Sequence, residues 1–270
     1  MNDPHPQPLY RSRYLPAMTR EQIAALPDKA WAPLILPTGA IEQHGPHLPV
    51  SVDAFLGQVW LSQALLRLPQ GASCYVAPPV TVGKSNEHTG FAGTLVISKD
   101  TLRELVMCVA RQAKSWGFGS LAILNTHGGN ISVLRYVVQE IKEEFGLRIC
   151  FLNGYENLGL SEQEDTYGFH AGELETSLML AAIPHLVKMN LASCEFPARI
   201  GDPGELRPEA APATFSWATK DISRSGIMGD ATVATAEKGL RWLEIGSSRI
   251  AGQILACCDE GRRATGNPAA

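Results

Sequence analysis

Between Glu42 and Asp53 the chain reads Glu42-Gln43-His44-Gly45-Pro46-His47-Leu48-Pro49-Val50-Ser51-Val52-Asp53, directly after the apolar run Ala32 to Pro37. Glu42 and His44 stand two apart, so on extended chain both side chains project to one side. Asp53 follows a loop stiffened by Pro46 and Pro49. Hard oxygen and borderline nitrogen donors held this way suit Zn, Mn or Fe(II) better than they suit a packing role. The spacing predicts a catalytic metal site.

Two more clusters carry chemistry. Asn125-Thr126-His127-Gly128-Gly129-Asn130 follows a second apolar run. Gly128 and Gly129 have no Cβ, which lets backbone approach a metal or a substrate closely. The plainer alternative is a strand-to-helix turn in which Asn130 caps a helix and His127 is polar surface. The third cluster is Phe169-His170-Ala171-Gly172-Glu173-Leu174-Glu175-Thr176-Ser177. On a helix Glu173 and Glu175 point roughly 200° apart, so at most one of them enters a site. The other would complement the helix macrodipole. His170 is read as an acid/base, with a simple loop hydrogen bond as the alternative.

Glu42, His44, Asp53 and His127, with one later glutamate, supply enough donors for two cations bridged by Asp53. Two such cations polarise a carbonyl and hold a hydroxide at neutral pH. His170 would then move a proton to a leaving nitrogen. This predicts hydrolysis of an amide-like bond of a small-molecule substrate, without a protein nucleophile. Ser85 or His88, from Lys84-Ser85-Asn86-Glu87-His88, would reach the substrate, with His88 as a satisfied loop histidine the alternative. His47 would orient a ligand from behind, and His5 and His185 look incidental. There is no phosphate-binding Walker loop, dinucleotide glycine motif or Gly-x-Ser-x-Gly elbow.

Short apolar runs alternating with longer helical ones must position these residues, which points to an α/β fold with a mainly parallel sheet. Strands are expected at 32–36, 73–77, 121–124 and 148–152. Helices are expected at 54–68 with Asp53 as N-cap, 101–116 capped by Ser98 or Asp100, 132–145, 173–183 and 233–258. Residues 81–96 and 196–229 read as loop, the latter near the site. The first two ligand clusters then fall at the carboxyl ends of parallel strands, where such sheets bind ligands. One domain over 1–270 is expected, with loose ends at 1–16 and 264–270.

The chain has 270 residues, is 45% hydrophobic and carries a formal net charge of -4. That length buries a sizeable core, and the dispersed charge gives no footprint for nucleic acid or an anionic membrane. No apolar run nears the roughly 20 residues needed to span a bilayer. The polar, Pro-rich start lacks a signal-peptide layout, so a cytoplasmic location is expected. Six cysteines without a Cys-x-x-Cys pair read as free, buried thiols rather than a zinc–thiolate site.

The three ordered motifs, Glu42 to Pro49 with Asp53, Asn125 to Asn130, and His170-Ala171-Gly172 leading into Glu175-Thr176-Ser177, resemble the creatininase (creatinine amidohydrolase) family over about Leu34 to Leu180. The resemblance implies a three-layer α/β/α sandwich, a homohexamer and a binuclear centre of Zn, Mn or Fe. In that centre Asp53 matches the bridging carboxylate, Glu42 and His127 match ligands of one cation, and His44 and Glu175 match ligands of the other. It implies activities ranging from creatinine ring opening and deformylation to trimming a cofactor-precursor peptide and hydrolysing a cyclic polyol ketone. Creatinine-hydrolysing members carry Tyr-Glu after the motif histidine and cover the substrate with tryptophans. This chain has Gly128-Gly129 there, and no Trp between Tyr155 and Phe169. The expected substrate is therefore another small amide, lactam or formamide.

Overall fold

The computed structural model describes residues 11–197 and 217–266. Its centre is a sheet of four strands, all parallel, in the order β2-β1-β3-β4. The strands are β1 (Pro33–Thr38), β2 (Tyr75–Val76), β3 (Ser120–Asn125) and β4 (Arg148–Leu152). The sequence places all four, although β2 is shorter than its apolar run. It breaks off at Pro78-Pro79, where each proline lacks the N–H that a ladder needs. β1 holds an interior position despite Pro33 and Pro37. The Pro37 carbonyl still accepts from Val80 N at 2.9 Å, beyond the end of β2.

Alternate strand residues feed opposite cores, as a period of two requires. Ile35, Ala122, Leu124 and Leu152 join one apolar cluster, with helices α2 (Val52–Leu66), α6 (Glu173–Ala182) and α8 (Ala236–Ala264). Leu34, Leu36, Leu121 and Ile123 join the other, with α3 (Lys99–Ser115) and α4 (Ile131–Phe145). The result is the three-layer α/β/α arrangement. Each fully buried Leu or Ile contributes about 1.5–3 kcal/mol, so the two clusters anchor the strand ends that carry the site. Three short helices complete the order: α1 (Arg20–Ala24), α5 (Glu162–Tyr167) and α7 (Thr219–Ile222). A two-stranded antiparallel ribbon pairs β5 (Cys194–Glu195) with β6 (Gly229–Asp230).

Several expectations are corrected. Asp53 is not an N-cap: α2 starts one residue earlier, and the Asp53 carboxylate turns into the site instead of back to the backbone. Ser98, rather than Asp100, caps α3 by accepting from Thr101 N. The last helix starts at Ala236, capped by Thr235, and runs six residues beyond Cys258. The thiols are all free, but Cys108 and Cys194 are exposed because they face away from the clusters. Of the stretch 1–16, the described part forms two 3-10 turns with Leu15 buried. His5 and residues 198–216 of the expected loop lie outside the described residues.

Helix α8 holds α6 at close range through Gly239, where a Cβ would collide with the carbonyl of Ser177. Gly252, on the same helix, faces nothing within 4 Å. The two glycines should therefore respond to alanine with opposite signs. Gly239→Ala should cost about 1–3 kcal/mol by overpacking, whereas Gly252→Ala should stabilise by about 0.5–1 kcal/mol through helix propensity. Urea denaturation of the two variants checks both signs.

Candidate metal centre

Adjacent parallel strands β1 and β3 end in register, Thr38 opposite Asn125, so the loops that follow them leave side by side. Hydrogen bonds then lock the two loops together. Thr126 Oγ1 donates to the Asp53 carbonyl at 2.7 Å, and Asn130 Nδ2 donates to the Gly39 carbonyl at 3.1 Å. Lys84 N donates to Asn130 Oδ1 at 3.0 Å, which ties in the loop after β2. Asn130 thus serves these loops rather than capping α4.

Asp53 lies at the focus. Its Oδ1 is 3.3 Å from His44 Nε2 and its Oδ2 is 3.2 Å from His127 Nδ1. Glu42 Oε1 flanks His127 Nδ1 at 3.4 Å, and Glu175 Oε2 flanks His44 Nε2 at 3.7 Å. The outward nitrogens are spoken for: His44 Nδ1 meets the Glu42 carbonyl at 3.1 Å and His127 Nε2 meets the Lys84 carbonyl at 3.1 Å. A carbonyl only accepts, so each ring donates from its outer nitrogen and turns the other nitrogen inward, open to a cation or to a second proton. Metal-binding histidines are oriented this way. Glu42 Oε2, His44 Nε2 and Asp53 Oδ2 are buried without a hydrogen-bond partner. Buried polar atoms of this kind call for an ion. Glu42, Asp53 and His127 form one group spaced to hold a divalent cation, and His44 and Glu175 form another together with His170.

Without a cation, the electrostatics favour that second proton. Burial alone would push His44 and His127 down, but the facing carboxylates prevail and hold both well above the ordinary histidine value. The carboxylates are Glu175 and Asp53 for His44, and Glu42 and Asp53 for His127. Burial would raise Asp53, yet the two imidazoles hold it far below the usual carboxylate range. The cluster thus draws positive charge to its centre, where a cation can stand in for protons.

The remaining predicted residues fall around this core. His170 is buried, its ring 4.2 Å from that of His44 and its Nδ1 3.7 Å from Glu42 Oε1. Glu175 reaches the cluster while Glu173 pairs outward with Lys238 Nζ at 2.5 Å. Glu175 Oε2 accepts from Ala171 N at 2.6 Å, and Ala171 takes a φ of 54°, a strained choice for a non-glycine residue. Ser85 and His88, expected at the substrate, are instead buried behind the ligands. Ser85 Oγ sits 3.3 Å from His127 Nε2, and His88 Nε2 sits 3.3 Å from Glu42 Oε1. His47 Nε2 meets Thr176 Oγ1 at 2.8 Å, which fastens the first loop to α6. Burial, reinforced by the charge on His44, lowers His47 to about 4.

A family model described as creatininase, creatinine amidohydrolase, matches residues 16–254. The chain belongs to the creatininase family. It is 32% identical over 219 residues to a mycofactocin precursor peptide peptidase of Mycobacterium ulcerans, with 78% of this chain and 80% of that protein covered. It is 28% identical over 246 residues to a creatinine amidohydrolase of Pseudomonas putida, with 82% and 88% covered. A solved mutant creatininase of the Zn-Zn type shares the fold at a TM-score of 0.74 and 24% identity, over 90% of this chain and 97% of that one. The protein is a metal-dependent hydrolase of the amidohydrolase type.

Within this creatininase-family site, Gly129 leaves room for a group that sequence reasoning missed. Glu87 Oε1 stands 3.7 Å from His127 Nε2, in space that a Cβ at position 129 would invade. A cavity of about 550 Å³ opens onto His127, Gly128, His170 and Glu175, with Phe151, Tyr155 and Leu160 among its walls. Gly129, Ser85 and His88 do not line it. Among the described residues, no helix is long and apolar enough to cross a membrane.

Glu164, also missed, lines the same cavity. Its Oε1 accepts from Leu174 N at 3.0 Å and so caps α6, whose own N-cap position, Gly172, has no side chain to do this. Burial first, and then the nearby carboxylates Glu173, Glu175 and Asp230, raise Glu164 from 4.5 to about 7. A raised folded-state pKa gives stability that is full below the unfolded value and lost as pH climbs towards 7. Glu164→Gln keeps the accepting oxygen but cannot titrate. Chemical denaturation should show wild-type stability falling from pH 5 to pH 7 relative to Glu164→Gln. Parallel profiles would mean that Glu164 is ionised throughout.

Proposed function

We propose that this protein hydrolyses an amide-type C–N bond with two divalent cations. Glu42, Asp53 and His127 would hold one, and His44, Asp53 and Glu175 the other. The observation that carries the reading is the Asp53 carboxylate, with one oxygen toward each of two imidazoles whose outer nitrogens are tied to backbone carbonyls. Bound there, the cations would polarise the scissile carbonyl and make water nucleophilic near neutral pH. The chain's own residues do the rest. Backbone carbonyls fix the ligand rings, the buried cluster excludes bulk water, and His170 on the cavity wall carries the proton to the leaving nitrogen. Gly128 lets the substrate come close to His127.

A small amide, lactam or formamide is the leading substrate class. A peptide end is the second reading. The peptide peptidase among the relatives favours it, as does the cavity, whose 550 Å³ lies in the range of about 300–1,000 Å³ that takes drug-sized ligands. Zinc is supported by the Zn-Zn creatininase, with manganese and iron compatible with the same donors. The proposal extends to a homohexamer, which rests on the family and is read by sedimentation.

Plasma mass spectrometry on protein purified without chelator should find close to two transition-metal ions per chain. Chelator should abolish turnover of a panel of lactams, formamides, cyclic ureas and short peptides, and Zn or Mn should restore it. Glu42→Gln, Asp53→Asn and His127→Ala should each lower turnover by at least about 10²-fold, the scale of losing one preorganised electrostatic group. No metal uptake from excess Zn or Mn, or full activity in all three variants, would sink the assignment.

A further inference from the structure

Gln43 lies between two proposed ligands, yet its side chain points away from both, toward the loop of residues 217–229. Its amide orientation is determined by its neighbours. The Gly45 N–H can only donate, and it meets Oε1 at 2.9 Å. The Gly226 carbonyl can only accept, and it meets Nε2 at 3.0 Å. A flipped amide would set donor against donor and acceptor against acceptor. The second hydrogen on Nε2 is thus directed at His88 Nδ1, 2.9 Å away. Thr219 Oγ1 lies 3.0 Å from the same nitrogen and, as a rotatable hydroxyl, donates to it or turns aside.

An imidazole nitrogen that accepts has no proton. His88 therefore carries its ring proton on Nε2, which faces Glu42 Oε1 at 3.3 Å. The backbone of Gln43 acts on a second ring: its carbonyl meets His170 Nε2 at 2.6 Å. His170 is then protonated on Nε2 and bare on Nδ1, the nitrogen nearest Glu42 Oε1 at 3.7 Å. The two rings lie 4.2 Å apart. Glu42, His88 and His170 are spaced as a third metal group. A proton on His88 Nε2 rules His88 out as a ligand there, because a ligating nitrogen must offer its lone pair.

We propose that Gln43 is a positioning residue that sets the ring proton of two histidines at once. Its side chain makes His88 a donor that holds Glu42, and its backbone carbonyl makes His170 a bare Nδ1 base. The catalytic consequence rests on the metal-hydrolase reading above, but the proton placement does not. With His88 holding Oε1, the unpartnered Glu42 Oε2 is left for a cation.

The test reads the protons directly. Full-length protein with 15N-labelled imidazoles, metal-free and then zinc-loaded, is examined by long-range 1H–15N correlation. His88 is assigned by signal loss in His88→Gln or by its contact to the Thr219 methyl. Wild type should show a protonated Nε2 and an unprotonated Nδ1 for His88. Gln43→Glu sets an acceptor-only oxygen against Nδ1, so Nδ1 should gain a proton. His170 should not change, since a backbone carbonyl holds it; a general loss of packing would disturb both rings. Affinity for the Glu42-side cation should also fall by about 10–100-fold, as for other outer partners of metal ligands. A proton on His88 Nδ1 in wild type, or an unprotonated Nδ1 in Gln43→Glu, overturns the proposal. Should Gln43→Glu fail to fold, the wild-type spectrum still decides. A chain that takes up no metal would sink the hydrolase reading and leave this result standing.

Discussion

Burial of the Asp53 carboxylate between two imidazoles is the constraint around which the structure is organised. Removing a carboxylate from water costs several kcal/mol unless it is paired and hydrogen-bonded. Here Glu42, Asp53 and Glu175 converge with His44 and His127, so negative charge gathers where solvent is scarce. Only positive charge at the centre makes that tolerable. The cluster satisfies itself with protons on the imidazoles or with cations held among its oxygens, and in a low-dielectric site both attractions are strong.

Such a centre needs rigid support, and backbone supplies it. Carbonyls of Glu42, Gln43 and Lys84 accept from His44, His170 and His127 respectively. Main-chain groups on anchored loops cannot rotate away, so they fix ring orientation more firmly than a flexible side chain would. The loops are anchored because the strands before them run through two apolar clusters, because Thr126 and Asn130 stitch one loop to the next, and because His47 ties the first loop to α6. Helix α6 presents Glu175 from the far side, held by Glu164 at its start and by Gly239 of α8 along its flank. Packing and chemistry are thus one system: a shift of α6 by an ångström would move a carboxylate out of reach of His44.

Much of this was legible in the chain itself. Continuous apolar runs such as Leu121 to Leu124 mark buried parallel strands because both faces of such a strand are covered. The amphipathic stretches of α3 and α4 mark helices because one face must meet the sheet. Glu42, His44, Asp53 and His127 stand out because ionisable residues at strand ends have no packing role to explain them. Local pattern fails where a residue has two competing uses. Asp53 has the look of an N-cap, yet its oxygens turn to His44 and His127. Ser85 and His88 belong to a polar loop and look accessible, yet the fold closes over them.

Sequence alone determined the α/β class with its mainly parallel sheet, the strand-end loops and the chemical identity of the donors, since periodicity and residue type are local properties. Only the tertiary structure decided that Glu175 rather than Glu173 turns inward, and that Glu87, Gln43 and Glu164 stand against the site. These depend on contacts across many residues, such as Gln43 with Gly226 and Leu174 with Glu164. A hydrogen bond between distant segments is specified by where two backbones come to rest, and no spacing along one segment encodes that.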